Sequence, residues 1–330
     1  MSVKAVVIGC GGVANYAHLP NLRKLGVDVV GVCDIIEERA IEASKKYGGK
    51  ALTDYREAVE LDADFAVVAT PPDTHYEITV AALEAGKDVF LEKPLAADLA
   101  TAKRLQAAVD SSGRKVVPGL CLRFNPMFQY AASRLRDLGR VQYAYSLALG
   151  NAAGLLGPAG WVSKRERSGG MMTENVIHMI DALRWFAGDF SSVSAVYRTF
   201  TEGSTIEDNV SASIRFSSGA VGMITKSWTS ARSFETWGVV AERGSIVVEG
   251  YVDGTLHVNV KGSGVTEDHV FKGGGEEMYL DEMREFVRYV KAGGGYPVST
   301  LDALRAQELS EAARLSSEEK REVSVDEVRG

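Results

Sequence analysis

Short apolar runs alternate with stretches of helical period through the first third of the chain. Strands are predicted at Val3–Ile8, Val27–Cys33, Phe65–Ala69, Val89–Leu91 and Lys115–Gly119. Helical periods fall between them, near Val13–Leu25, Glu37–Tyr47, Tyr55–Glu60, Thr74–Ala85 and Leu99–Ser111. Gly26, Gly48, Gly86 and Gly113 stand where helices should stop, as glycine past a helix end does. Strands joined by helices of this length predict a right-handed, doubly wound parallel sheet. After about Leu122 the alternation ends. Helices read at Pro126–Leu138 and Thr173–Ala187, the second bounded by Gly169-Gly170 and Gly188. Strand-like runs follow at Ser192–Phe200, Asn209–Phe216, Ala220–Ser230, Glu235–Ala241, Ser245–Glu249 and Thr255–Val260, with glycine-containing breaks that read as hairpins. Two helices, Glu276–Ala292 and Leu301–Ser316, complete an α+β half with a large, mostly antiparallel open sheet. The expected division is residues 1–122 and residues 123–330.

The first strand runs into Gly9-Cys10-Gly11-Gly12-Val13-Ala14. Each part of that turn answers a need of a dinucleotide. Gly9 permits the tight exit from the strand, Gly11 lets backbone approach a pyrophosphate, and Ala14 is small enough for the new helix to pack on the sheet. The first turn of that helix offers free N–H groups and a positive dipole end. Asp34 closes the second strand 20 positions after Ala14, where a carboxylate accepts from a ribose diol. Ile35 and Ile36 follow it, with no Arg for a 2′-phosphate until Arg39, so NAD is favoured over NADP.

At 330 residues the chain is long enough for about two cores. A net charge of −7 without a basic run argues against nucleic acid. No apolar stretch approaches the ~20 residues of a membrane span, and Met-Ser-Val-Lys enters a strand without a signal-peptide pattern. Cys10, Cys33 and Cys121 lie in apolar runs and read as buried free thiols, so a cytoplasmic protein is expected.

Three further segments carry candidate chemistry. Thr70-Pro71-Pro72-Asp73-Thr74-His75 follows the fourth strand, at the carboxyl edge where open α/β sheets bind ligands; by spacing alone it is equally a rigid turn capped by Asp73. Glu92-Lys93-Pro94 follows the fifth strand at the same edge. Elsewhere such a lysine is a solvated charge; beside a reacting carbon its ammonium stabilises a developing alkoxide. In the third, Glu174, His178 and Asp181 are spaced i, i+4, i+7 and would share one helix face. A lone histidine there is commonly a core or surface residue. Flanking carboxylates can instead hold the imidazole in one tautomer while its other nitrogen takes a proton. With no cysteine cluster or histidine pair nearby, no metal is expected.

Together these segments resemble the Gfo/Idh/MocA oxidoreductases, the family of glucose–fructose oxidoreductase and inositol dehydrogenase. The resemblance is carried by Gly9–Ala14, Thr70-Pro71-Pro72 with His75, Glu92-Lys93-Pro94, Arg123-Phe124-Asn125-Pro126, and Gly169-Gly170 leading to His178-x-x-Asp181. It implies an N-terminal Rossmann domain that binds NAD(P), and a C-terminal α+β domain whose open sheet builds homodimers or homotetramers. It implies that Lys93 binds the substrate hydroxyl, that His178 is the general base and that Glu174 orients it, with Asp181 in the catalytic set. Two departures stand out: the family often has Asp at the position of Glu174, and Trp161 is followed by Val162 where Trp-Arg is common. Candidate cofactor contacts are Gly9, Gly11, Gly12, Val13, Ala14, Asp34, Ile35, Thr70, Pro71, Pro72, His75, Glu92 and Lys93. Candidate substrate contacts are Lys93, Arg123, Asn125, Trp161, Asn175 and His178. The expected reaction passes a hydride between a secondary alcohol of a sugar, cyclitol or related polyol and NAD. Two other readings stay open at this point: a sugar enzyme that recycles bound NAD, and a non-enzymatic NAD-binding regulator.

Overall fold

The computed structural model describes residues 2–152, 154, 156, 160–264 and 266–329. Two compact units result, one of Met1–Cys121 with Met278–Leu304, the other of Leu122–Glu277 with Arg305–Gly330. A division at 122/123 would leave Met278–Leu304 with the second half. That stretch groups with the first because Met283, Phe286 and Val287 bury their side chains in the same core as Val7, Phe65 and Phe90, and Phe286 stands edge-on to both phenyl rings.

In the first unit, β1 (Lys4–Ile8), β2 (Asp28–Cys33), β3 (Lys50–Leu52), β4 (Phe65–Val68), β5 (Asp88–Leu91) and β6 (Val116–Pro118) form a sheet in the order β3-β2-β1-β4-β5-β6. Every pair is parallel. The chain reverses its direction of winding between β1 and β4, the point at which such sheets bind ligands beyond their carboxyl ends. Beyond the charged first residues Lys4, Asp28, Lys50 and Asp88, the strands are apolar, as strands buried on both faces must be. The predicted first helix is present but not uniformly α. Residues Ala14–His18 form a π turn before the α-helical Leu19–Lys24. Pro20 has no N–H to bond the Tyr16 carbonyl, and widening the preceding turn relieves its ring of that carbonyl.

In the second unit, β7 (Val141–Asn151), β8 (Phe190–Arg198), β9 (Asn209–Phe216), β10 (Val221–Ser227), β11 (Thr229–Ala241), β12 (Gly244–Gly250), β13 (Gly254–Val260), β14 (Thr266–Phe271) and β15 (Val323–Ser324) form one sheet. Its order is β14-β13-β12-β11-β7-β10-β9-β8-β15, antiparallel except where β10 meets β7. Helix Pro126–Leu138 and the stretch Met172–Ala187 cover one face, Phe128 and Phe186 stacking on Trp237 of β11 at 4.3 and 5.7 Å between ring centroids.

Candidate functional site

Gly9 leaves β1 at φ +97°, and a Cβ built there would lie 2.3 Å from the carbonyl oxygen of Ala69, the residue after β4. Only glycine fits both that conformation and that approach. Around Gly11 and Gly12 the opposite holds: an added Cβ meets nothing within 4 Å, so the turn presents bare backbone to open space. Asp34 is already oriented. Its Oδ2 accepts from the Cys10 N–H and its Oδ1 from the Ile36 N–H, each at 2.9 Å. Each oxygen keeps a second lone pair, which is what a ribose diol requires. Ala14 is buried, Val13 half-buried and Ile35 exposed. Burial, reinforced by Asp34, pushes the thiols of Cys10 and Cys33 up to about 12, so neither is a nucleophile at neutral pH. These groups fit a dinucleotide.

The ends of β4 and β5 are tied together from behind. His75 is fully buried, its Nδ1 and Nε2 each 2.8 Å from a backbone carbonyl, those of Pro94 and Thr70. Burial holds its pKa below the ordinary range, against the pull of the two carbonyls. Glu92 is also buried. Its Oε1 meets Nε2 of His18 at 2.7 Å and its Oε2 accepts from the Lys93 N–H at 3.1 Å. With these bonds His75 and Glu92 hold the loops that carry Thr70 and Lys93. Thr70 is half-buried and shares a hydroxyl–hydroxyl bond of 2.8 Å with Thr74; Pro71 is half-buried and Pro72 buried. Lys93 is half-buried. His18 was not anticipated, since a histidine within an amphipathic period carries no signal of a partner 74 residues away.

In the second unit the Gly169-Gly170 turn opens the stretch that carries His178. A Cβ on Gly170, at φ +98°, would lie 2.6 Å from Nη1 of Arg165 and 2.9 Å from the Glu207 carboxylate. Buried Glu207 pairs with Arg165 and accepts from the Met172 N–H at 3.1 Å. Residues Met172–Val176 form a π turn ahead of the α-helix Ile177–Ala187. Glu174 lies within that turn and His178 is the second residue of the helix. Both are half-buried, as are Asn175 and Trp161. Asp181 is buried and holds Arg123 in a two-pronged bond, Nε to Oδ2 and Nη2 to Oδ1, both 2.7 Å. The Arg123 guanidinium also lies 4.9 Å over the Trp185 ring. Arg123 is thus braced between Asp181 and Trp185. Asn125 is fully buried; it caps Pro126–Leu138 by accepting from Met127 N–H at 2.9 Å, and donates to the Val252 carbonyl at 2.9 Å.

Among the described residues no group of three or more His, Cys, Asp or Glu could hold a metal, and no helix is long and apolar enough to cross a membrane. The family description "Oxidoreductase family, NAD-binding Rossmann fold" matches residues 3–120, and "GFO/IDH/MocA C-terminal domain" matches residues 131–247. The chain is 27% identical to a myo-inositol 2-dehydrogenase of Thermotoga maritima, over 98% of this chain and 99% of that one. It is 28% identical to a scyllo-inositol 2-dehydrogenase (NAD(+)) of Bacillus subtilis, over 98% and 96%. In fold it matches a levoglucosan dehydrogenase solved with NADH and levoglucosan, at a TM-score of 0.88 and 23% identity, over 98% and 99%. Two matched domains covering most of the chain, in the order the glycine turn and the His178 stretch require, make this protein a member of the Gfo/Idh/MocA oxidoreductase family.

Proposed function

We propose that the protein oxidises a secondary alcohol of a sugar, cyclitol or related polyol with NAD. The observation that carries this is its likeness, over nearly the whole of all three chains, to the two inositol dehydrogenases. When bound, NAD supplies the hydride acceptor; the chain supplies placement and charge. Gly9 makes the turn, Gly11 and Gly12 face the pyrophosphate, and Asp34 takes the ribose hydroxyls. Lys93 donates to the substrate oxygen and stabilises it as charge develops. His178 takes the hydroxyl proton as general base, with Glu174 as the carboxylate that orients it; Asp181, one turn on, fixes Arg123 beside them. Thr70, Asn175 and Trp161 complete the proposed contacts. Release of NADH in a panel of inositols, aldoses and sugar acids is the test. Turnover without a net absorbance change would favour the recycling reading, and binding without turnover the regulator.

Asp34 sets the cofactor preference. Its carboxylate would repel a 2′-phosphate, so NAD is expected to bind more tightly than NADP in titrations of the apo protein. Asp34→Ala removes charge-assisted bonding to ribose and should weaken NAD by at least about 10–100-fold, the range of one hydrogen bond to a charged group. NADP affinity equal to that of NAD in the unaltered protein would overturn the assignment.

A homodimer or homotetramer in the cytoplasm is part of the same proposal. The sheet face opposite Trp237 carries Val196, Val221 and Phe234, with Phe234 52% and Val196 55% exposed, beside half-buried Tyr143, Tyr145, Leu147 and Leu149. An apolar face of that extent favours a second copy. Light scattering is expected to give a multiple of 35.5 kDa, and Phe234→Glu to shift it toward the single chain. A single-chain mass for the unaltered protein would remove the claim. All three cysteines are free and buried, which supports a reducing compartment.

A further inference from the structure

The covered face of the large sheet carries one feature that the proposed chemistry leaves unused. Lys226 near the end of β10 and Glu235 on β11 both stand in register with Ala148 of β7, which lies between them. Strand alternation puts all three on the face of Trp237 and Ile224. The small alanine lets the long side chains reach over it, and Nζ of Lys226 comes to 3.9 Å from Oε1 of Glu235. That separation is too long for a hydrogen bond. Among the described residues Lys226 has no hydrogen-bond partner, although its side chain is only 17% exposed; Glu235 is 36% exposed. Burial pulls the Lys226 pKa down, with Glu235 opposing. An ammonium so enclosed, with three N–H groups unmet, is costly unless something supplies acceptors.

The His178 stretch passes over this end of the sheet. Met172, at its start, bonds Glu207 just ahead of β9, whose first residue Asn209 pairs with Ser227 at the end of β10. At its other end the Ala187 carbonyl accepts from Ser218 in the β9–β10 hairpin at 2.8 Å. The stretch thus runs from the Lys226 end of β10 toward the hairpin. His178 lies six residues in, about 9 Å at ~1.5 Å per residue, and Lys226 one residue from the strand end, about 3 Å. Along that common direction the two differ by only about 6 Å.

We propose that Lys226 and Glu235 form a specificity subsite that takes two adjacent hydroxyls of the polyol, remote from the carbon being oxidised. The ammonium donates to one hydroxyl oxygen and the carboxylate accepts from the other. The pair is neutral as a whole, so it selects neutral sugars and cyclitols; a sugar acid would bring a second carboxylate against Glu235. This rests on the dehydrogenase reading above.

The test compares initial rates on inositols and aldoses with those on aldonic and uronic acids, for the unaltered enzyme, Lys226→Met and Glu235→Gln. Lys226→Met should raise KM for the best neutral substrate about 10-fold or more, with kcat within about 3-fold, as loss of a bond to a charged group at a non-reacting position does. Glu235→Gln is nearly isosteric, and should shift the ratio of kcat/KM toward sugar acids by about 10-fold. Unchanged NADH titration and melting temperature in both variants would show that the fold and the cofactor half are intact. An unaltered enzyme that prefers sugar acids, or two variants with unchanged KM and unchanged acid-to-neutral ratio, would overturn the subsite while leaving the dehydrogenase reading intact. No NADH from any panel member with the unaltered enzyme would overturn that reading and the subsite with it.

Discussion

Alanine at His178 or at Lys93 is expected to lower kcat/KM by about 10²–10⁴-fold, the usual contribution of a positioned proton-transfer group. His178→Ala removes the proposed base; Lys93→Ala removes the cation proposed to stabilise the developing alkoxide. Neither change touches Gly9–Ala14 or Asp34, so NADH titration should give nearly the parental affinity, with at most a modest loss for Lys93→Ala. The pH profile separates the two roles. Oxidation by the unaltered enzyme should rise with pH as the imidazole gives up its proton, and that rise should vanish in His178→Ala. If His178→Ala kept both the parental kcat/KM and the rise, the base would lie elsewhere.

Gly9→Ala is the second change with a large expected effect, and here the cause is steric. The new methyl would sit 2.3 Å from the Ala69 carbonyl oxygen, on a backbone held at φ +97°. Overpacking of that kind costs roughly 1–3 kcal/mol, and the left-handed conformation about 1–2 more for a residue with a Cβ. Melting should fall by more than about 5 °C, at about 2–4 °C per kcal/mol for a protein of this size class, and NAD affinity should fall with it. Gly11→Ala is the control. Its methyl meets open space, so melting should stay at the parental temperature while NAD binding weakens, because the methyl occupies ground where backbone must approach the pyrophosphate. Equal melting losses in the two variants would refute this division of roles.

Helices Glu37–Tyr47 and Pro126–Leu138 and strand Asn209–Phe216 were legible residue for residue, because period, caps and breaks agreed there. Strand β7 was not, although it is central to its sheet and Val-Gln-Tyr-Ala-Tyr-Ser-Leu-Ala alternates. Its covered face is built of Ala144, Ser146 and Ala148, too small to register as an apolar stripe, and its larger residues face the other way. Strand β3 escaped because three residues are too few for a period. In the candidate site, the glycine turn and Asp34 were readable because their chemistry is local: a turn, a helix start and a strand end within one βαβ unit. The bonds that hold Arg123 and Asn125 were not readable, for the converse reason. Their partners Asp181 and Val252 lie 58 and 127 residues away.

What the sequence determined by itself is whatever short-range sterics and backbone hydrogen bonding decide: the order of elements, the doubly wound half, the dinucleotide turn and the family. The tertiary structure alone decided which polar groups face inward. Burial favours a partner for most of them, and that partner comes from wherever packing delivers it. Thus His75 and Glu92 became internal ties, Arg123 closed on Asp181, the segment Met278–Leu304 joined the first unit, and Lys226 was left beside Glu235 without a hydrogen bond among the described residues.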